Sequence, residues 1–486
     1  MKRLFTYTTI ITSTLAFIGC NKQLNQQPIS SLPTSAFWQT SQDASTGTAS
    51  IYAGMQNVFS SAFIEWGDAR SDNFTYGGTG ENQIDVALNG LNSTDASADW
   101  GNIYNTILRA NLAIKYIPNI IGLTQVQTNN YLSQAYGARA FMYFWAVRVW
   151  GDVPVRLAPY ESIDSTPYLA RSNADSVLTN VVIPDLTKAL SLVDNTSYST
   201  FIITKGSILA MLSEVYMWKK DYPNVLATTA QLMAMNRYSL VPAYGYKDVF
   251  VGATTAENIW TLNWNWKTDG RNDIGTKIGS NGNTSNYVID KGLLSELELN
   301  KNDIRRNIDY DTAVASANLP LTVIWKYYPM DVSTGKPATP PRVQNEAKLP
   351  FYRWPDILLM RAEALNLGKN DKDSAIILVN LVRARAGATP LLSANYPATL
   401  DIENAVLNER QLELFAEGKR WFDLVRTNTL LNNNLITLMD PLIRARQATL
   451  KITPTGFLDV RKILWPVSRQ ALISDPLLIQ NPPYSE

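Results

Sequence analysis

The strongest constraint on the fold is a set of apolar stripes at helical spacing, each cut off by glycine or proline. Leu132, Ala135, Tyr136, Arg139, Met142, Tyr143, Ala146 and Val149 follow the three-and-four residue recurrence of one helix face. The run stops at Trp150-Gly151-Asp152-Val153-Pro154. Trp100, Ile103, Tyr104, Ile107, Leu108, Asn111 and Leu112 line a helix before it. Further on, Ile208, Leu209, Leu212, Val215 and Tyr216 form a stripe, and Asp221 with Pro223 restarts a helix carrying Leu226, Leu232 and Met233. A second pair follows, with Leu358, Leu359, Ala362 and Leu365 stopping at Gly368, and Ala375, Leu378, Val379 and Val382 stopping at Gly387. Such stripes predict a mostly α fold of antiparallel helix pairs. The most apolar window, Ala135 to Trp150, is interrupted by Arg139 and Arg148 and therefore reads as a buried helix rather than a membrane span.

These pairs resemble tetratricopeptide hairpins, although no strict repeat period runs through the chain. Two stretches break the helical pattern. Trp66 to Asp99 is dominated by Gly, Asn, Asp and Thr, and 244–342 is rich in Asn, Gly, Thr and aromatic residues. The second reads as a loop-rich, partly β insert resting on the helical scaffold. Long irregular stretches inside compact domains tend to carry function.

The N-terminus has the layout of a secretory signal over residues 1–19: a basic head, an apolar stretch and a small residue before Cys20. Cys20 is the only cysteine of the 486 residues, so no disulfide framework is available. At the end of a signal, a lone cysteine resembles the lipobox cysteine of bacterial lipoproteins, where an acyl anchor gives it a role. The alternative is an incidental cysteine in a simple cleaved signal. Residues 20–35 then read as a polar, Gln-rich lipidated tether and 36–486 as the folded domain. A net charge of +1 with no basic stripe implies no nucleic-acid partner. The absence of histidine removes Ser-His-Asp and Cys-His catalysis and every His-based zinc site. No metal or cofactor is expected. Gly77-Gly78-Thr79-Gly80 lacks the Lys-Ser/Thr that a phosphate-binding loop requires.

Taken in order, several segments resemble the SusD/RagB family of outer-membrane nutrient-binding lipoproteins of Bacteroidetes. They include Phe37-Trp38, Arg70-Ser71-Asp72-Asn73, Arg109-Ala110-Asn111 and Trp150-Gly151-Asp152-Val153-Pro154. The region 350–486 is the most specific, with Arg361-Ala362-Glu363-Ala364, Arg383-Ala384-Arg385-Ala386-Gly387, Asn408-Glu409-Arg410, Glu417 through Arg426, and Leu464-Trp465-Pro466-Val467. The resemblance implies a SusD-like helical fold and a lipid-anchored place on the outer membrane, facing the exterior. It also implies a SusC-like TonB-dependent transporter as partner, an oligosaccharide or other nutrient as ligand, and no catalysis. Asn21-Lys22-Gln23-Leu24 lacks the acidic cluster often associated with surface export, so outward display follows from the family alone.

Glu409, Glu413 and Glu417 stand at i, i+4 and i+8, and on one continuous helix they would share a face. A like-charge stripe of this kind needs a cationic partner. A calcium ion or an acid/base pair is one reading. An ion-pair network with Arg410, Arg420, Asp423 and Arg426, or with Arg361, Arg383 and Arg385, is the other, and the family motif, structural in that family, favours it. Sugars bind by stacking on Trp or Tyr rings, which are apolar in body and polar at one tip. Aromatics on helical stripes, such as Trp100, Tyr143 and Trp421, are expected in the core. Trp66, Tyr76, Trp264, Trp266 and Tyr287, in loop-like segments, are the expected platforms, with Asp72, Asn73, Arg271, Asp273 and Asn281 as hydrogen-bonding neighbours. The expected function is capture of a nutrient, a glycan above all, for the transporter. The alternatives are a helical interaction scaffold, a peptide-binding lipoprotein and, last, a carboxylate-based glycosidase.

Overall fold

The computed structural model describes residues 37–485 apart from short internal stretches, the longest being 310–323 and 338–346. The expected signal segment, the expected tether with Cys20, and Arg271 and Asn281 lie outside the described residues.

The scaffold is a row of helices, each packed on the next. Helix α1 (Ser41–Phe59) opens on a capping box, in which the Asp43 amide donates to Thr40 Oγ1 at 3.2 Å and the Thr40 amide donates to Asp43 Oδ2 at 2.7 Å. A six-residue helix, α2 (Ala62–Gly67), follows. Helix α1 packs on α3 (Gly101–Tyr116), and α3 on α4 (Gln125–Trp150), which Thr124 and Gln127 cap in the same way. The second half of α4 is buried on every side. Its two arginines are accommodated because each meets a carboxylate. Arg139 holds Asp185 of α5 (Ile183–Leu192) through two bonds at 2.7 and 2.8 Å, and Arg148 donates to Glu214 of α6 (Lys205–Trp218) at 3.0 Å.

Two hairpins share one turn. Between α6 and α7 (Tyr222–Ala234), Lys220 takes φ 58° and Asp221 caps the next helix, accepting from the Asn224 amide at 3.3 Å. Between α9 (Trp354–Lys369) and α10 (Lys372–Ala386), Asn370 takes φ 54° and Asp371 accepts from the Ser374 amide at 3.1 Å. A left-handed residue followed by an Asp cap reverses the chain in the fewest residues. Helix α7 packs on α9, and α11 (Thr399–Glu413) covers α9 from the other side. The architecture is mostly helical and tetratricopeptide-like.

The loop-rich stretch between these hairpins is woven into its surroundings. Strand β2 (Asn258–Leu262) pairs antiparallel with β4 (Leu349–Arg353), and both are buried throughout. Strand β3 (Tyr287–Ile289) pairs with β1 (Phe74–Tyr76) near the front of the chain. The stretch also contributes α8 (Lys291–Leu299). One apolar cluster runs from Trp38 to Leu478. At its centre the Phe141 ring of α4 lies 4.7 Å from Trp260, 4.8 Å from Phe351 and 5.8 Å from Phe59, where two strands and two helices meet. Of the helical aromatics expected inside, Trp100, Tyr143 and Trp421 are buried. Among the described residues no helix is long and apolar enough to cross a membrane.

Helix α2 touches the chain after α11 backbone to backbone: a Cβ on Gly67 would lie 2.1 Å from the Gly418 carbonyl oxygen. Gly67→Ala is therefore expected to destabilise the protein by about 1–3 kcal/mol, seen as a lower urea midpoint. Gly245→Ala, whose Cβ would meet Val241 at an ordinary 3.8 Å, should change the stability by no more than about 0.5 kcal/mol. Equal effects would contradict the close approach.

Candidate functional site

The carboxylate stripe proves to be bent. Helix α11 ends at Glu413, and Glu417 lies beyond it in a turn where Ala416 and Gly418 take φ 63° and 74°. The expectation that three glutamates share one helix face is corrected here: two do, and the turn returns the third to the same place. The helix stops because its last carbonyls are captured from outside. Lys326 Nζ donates to the carbonyls of Glu413 at 3.0 Å and Phe415 at 2.8 Å, and the Tyr327 hydroxyl donates to Ala416 at 2.8 Å. Those bonds hold a non-glycine residue in the left-handed region, at a cost of about 1–2 kcal/mol.

Around this turn the carboxylates face cations. Arg353, at the end of β4, donates to both oxygens of Glu417 at 2.8 Å and to Glu257 at 2.8 Å, and also bonds Glu413. Arg305 reaches Glu409 at 2.7 Å, Glu413 at 3.2 Å and Asp303 at 2.6 Å. Arg383 holds the other Glu409 oxygen at 2.8 Å, and Arg385 holds Glu257 at 2.9 Å. Burial alone would raise the Glu413 carboxyl, but Arg385, Arg353 and Arg305 hold it far below the usual carboxylate range. A second cluster lies alongside. Asp423 accepts from Arg410 at 2.8 Å and from Arg426 at 2.7 Å, and Arg426 also grips Glu363. Arg361 donates instead to the Leu226 carbonyl at 3.0 Å. Arg353, Arg305 and Lys326 were not legible as partners, because 60 to 108 residues separate them from the glutamates they hold.

One carboxylate is poorly served. Both oxygens of buried Asp309 lack a hydrogen bond, with Lys326 Nζ 3.7 Å away. Burial pushes its carboxyl up to about 7, against the pull of Lys326.

The expected ligand residues sort differently. Trp66, Trp264 and Tyr287 are 2%, 2% and 0% exposed, which corrects their assignment as platforms: a covered ring offers no face to a ligand. Trp66 lies against Trp145 and Trp150 at 5.9 and 5.4 Å and donates its indole N–H to the Ser97 carbonyl at 2.8 Å. Asp72 is also corrected, since its two oxygens hold Arg420 at 2.8 Å each. So is Asn73, buried and bonded to Asp68 at 2.6 Å and to Gln411 at 3.0 Å.

Of the remaining candidates, Tyr76, Asp273 and the short helix that begins at Trp266 lie around the junction of α1 and α2. Glu65 of α2 accepts from the Tyr287 hydroxyl at 3.0 Å and from Lys277 and Ser97, and so ties α2 to the segment after β1 and to that around β3. Half-buried Tyr76 is the cross-strand partner of Tyr287. The Asp273 amide donates to the Ser60 carbonyl at 3.0 Å, and Gln56 of α1 donates to Asn263 at 2.7 Å and to Asp269 at 3.2 Å. The short helix Trp266–Asp269 thus sits at the end of α1, with Asn265, Lys267, Thr268 and Asp269 exposed. Sequence reasoning missed Asp269 and Gln56. The loop composition around Asp269 was the available signal, but Gln56 lay inside a helical stripe.

Comparison with known proteins converges on one family. The SusD family model matches residues 258–484, and a model described as starch-binding, associating with the outer membrane, matches residues 24–217. A SusD-like protein P38 of Formosa agariphila is 29% identical, with 96% of each chain covered. A SusD superfamily protein of Bacteroides fragilis shares the fold at a TM-score of 0.74 and 22% identity, over 92% of this chain and 100% of its own. A laminarin-binding SusD-like protein gives the same TM-score, identity and coverage.

Two outcomes test the buried charges. Arg353→Met, which removes the cation shared by Glu257, Glu413 and Glu417, should lower stability by roughly 3–5 kcal/mol in urea titrations. Asp309→Asn should act with the opposite sign. A carboxyl raised in the folded state costs stability as pH rises, so the melting-temperature advantage of the variant should widen between about pH 4 and 7 and stay level above. An advantage that shrinks over that interval would contradict the burial of an unsatisfied carboxyl.

Proposed function

The chain belongs to the SusD/RagB family, and on that premise we propose that it is a nutrient-capturing lipoprotein of the outer membrane that binds a saccharide without transforming it. The observation that carries the reading is the family match, which spans nearly the whole chain in two segments. The laminarin-binding neighbour of the same fold supports a glycan as ligand. The glutamates that invited a catalytic reading support binding over chemistry, because each is held by arginine or lysine. An acid/base pair needs carboxyls that can exchange protons with a substrate.

In this proposal Cys20 carries the acyl anchor, the ligand enters at the face near α1 and α2, and a SusC-like transporter receives it. Trp266, the first residue of the short helix Trp266–Asp269, is the proposed stacking platform, with Asp269, Asp273, Arg271 and Asn281 as hydrogen-bonding partners and Tyr76 at the rim. A saccharide ring on an indole is an amphipathic contact that works in a wet site.

Two measurements test this. Cys20→Ala should shift the chain from the membrane pellet to the soluble fraction. Trp266→Ala in the full chain should weaken binding to a saccharide selected from a neutral and acidic glycan array by about tenfold, on the order of 1.4 kcal/mol. Binding of no glycan on such an array, or undiminished binding by the variant, would defeat the proposal.

A further inference from the structure

A concavity of about 420 Å³ lies away from that face, on the outer side of α11. Asp401, Asn404, Asn408 and Leu412 fall within roughly 80° of one another on this helix at about 100° per residue, and they form its floor. Its opposite side is Asn395 and Tyr396, and Glu296 of α8 closes one end. The wall is built in advance. Asn380 donates to the Leu391 carbonyl at 2.9 Å and accepts from its amide at 2.8 Å, which fixes the chain that leads to Tyr396. Arg383 is held in plane by Glu409 at 2.8 Å and the Thr389 carbonyl at 2.8 Å.

Three groups on this lining face the opening: the exposed side chains of Asn395 and Asn408 and the half-buried Tyr396, none of which is tied to another part of the chain among the described residues. Two amides and a phenol present donors and acceptors from the floor and the opposite wall, which suits sugar hydroxyls that both donate and accept. The half-buried Tyr396 ring supplies an amphipathic wall. The volume lies within the ordinary range of small-molecule sites. Charge narrows the class: Arg383 is already paired with Glu409, which leaves Glu296 and Asp401 as the charges that face the opening and disfavour a carboxylated or sulfated sugar. We propose that this concavity is a second saccharide site, which takes a neutral hexose unit of the captured glycan. The inference deepens the saccharide-binding reading and rests on it.

The test is saturation-transfer NMR on the full chain carrying Cys20→Ala, with laminaribiose, cellobiose and maltose as neutral probes and digalacturonate as the acidic one. In the Trp266→Ala background, transfer to at least one neutral disaccharide should persist, and adding Asn408→Leu should reduce it by about fivefold or more with an unchanged melting temperature. Tyr396→Ala should do the same, and digalacturonate should show no transfer sensitive to residue 408. Equal transfer with and without Asn408→Leu, or no transfer to any neutral probe, overturns the inference. If Trp266→Ala alone abolishes transfer, the second site falls and the first reading stands. If Trp266→Ala changes nothing while Asn408→Leu abolishes transfer, the concavity stands and the loop-face reading falls.

Discussion

The fork of Arg353 is the interaction on which the rest of the structure depends. It leaves the end of a buried strand and reaches Glu257, Glu413 and Glu417 at once, with Arg305, Arg385 and Lys326 closing the ring. Charges removed from water survive only when their partners and hydrogen bonds are nearly complete. The near-complete pairing makes position unforgiving: strand β4, helix α11 and the turn after it must all be in place together. The same ring explains why α11 ends where it does, because the carbonyls that would continue the helix are taken by Lys326, Arg353 and Tyr327.

This arrangement gives the irregular segments a rigid base. The stretch between the helix hairpins contributes Glu257, Arg305 and Lys326 to the ring, and its strand β3 crosses to pair with β1. Glu65 then clasps Tyr287 and Lys277 at the edge of the loop face. For the proposed capture, loops on such a base would order only their own few residues when ligand arrives, which reduces the entropic cost. In the proposed reading, function and fold therefore separate in space: buried charges set the frame, and the ligand residues lie at its edge.

Much of this was readable from the chain. The helix pairs followed from spacing, and their stops from Gly151 and Gly387, which both adopt the positive φ that favours glycine. Arg139 and Arg148 within an apolar run read as a buried helix; that each meets a carboxylate, Asp185 and Glu214, became visible only in the fold. The aromatic platforms were less legible. Trp66, Trp264 and Tyr287 occupy segments whose composition reads as loop, yet their rings turn inward. Local polarity reports that a segment lacks regular structure; it does not report which side of the segment faces the core.

The sequence by itself determined the mostly helical class, the punctuation of the hairpins and the family, because each depends on residues near one another in the chain. Tertiary structure alone decided that Asp72 belongs to Arg420, that Glu417 rejoins Glu413 through a turn rather than a helix, and that Arg305 serves glutamates about a hundred residues away. Periodicity and capping act over a few residues and leave a local trace. An ion pair between distant segments exists only once the chain has closed on itself, and no spacing in the sequence records it.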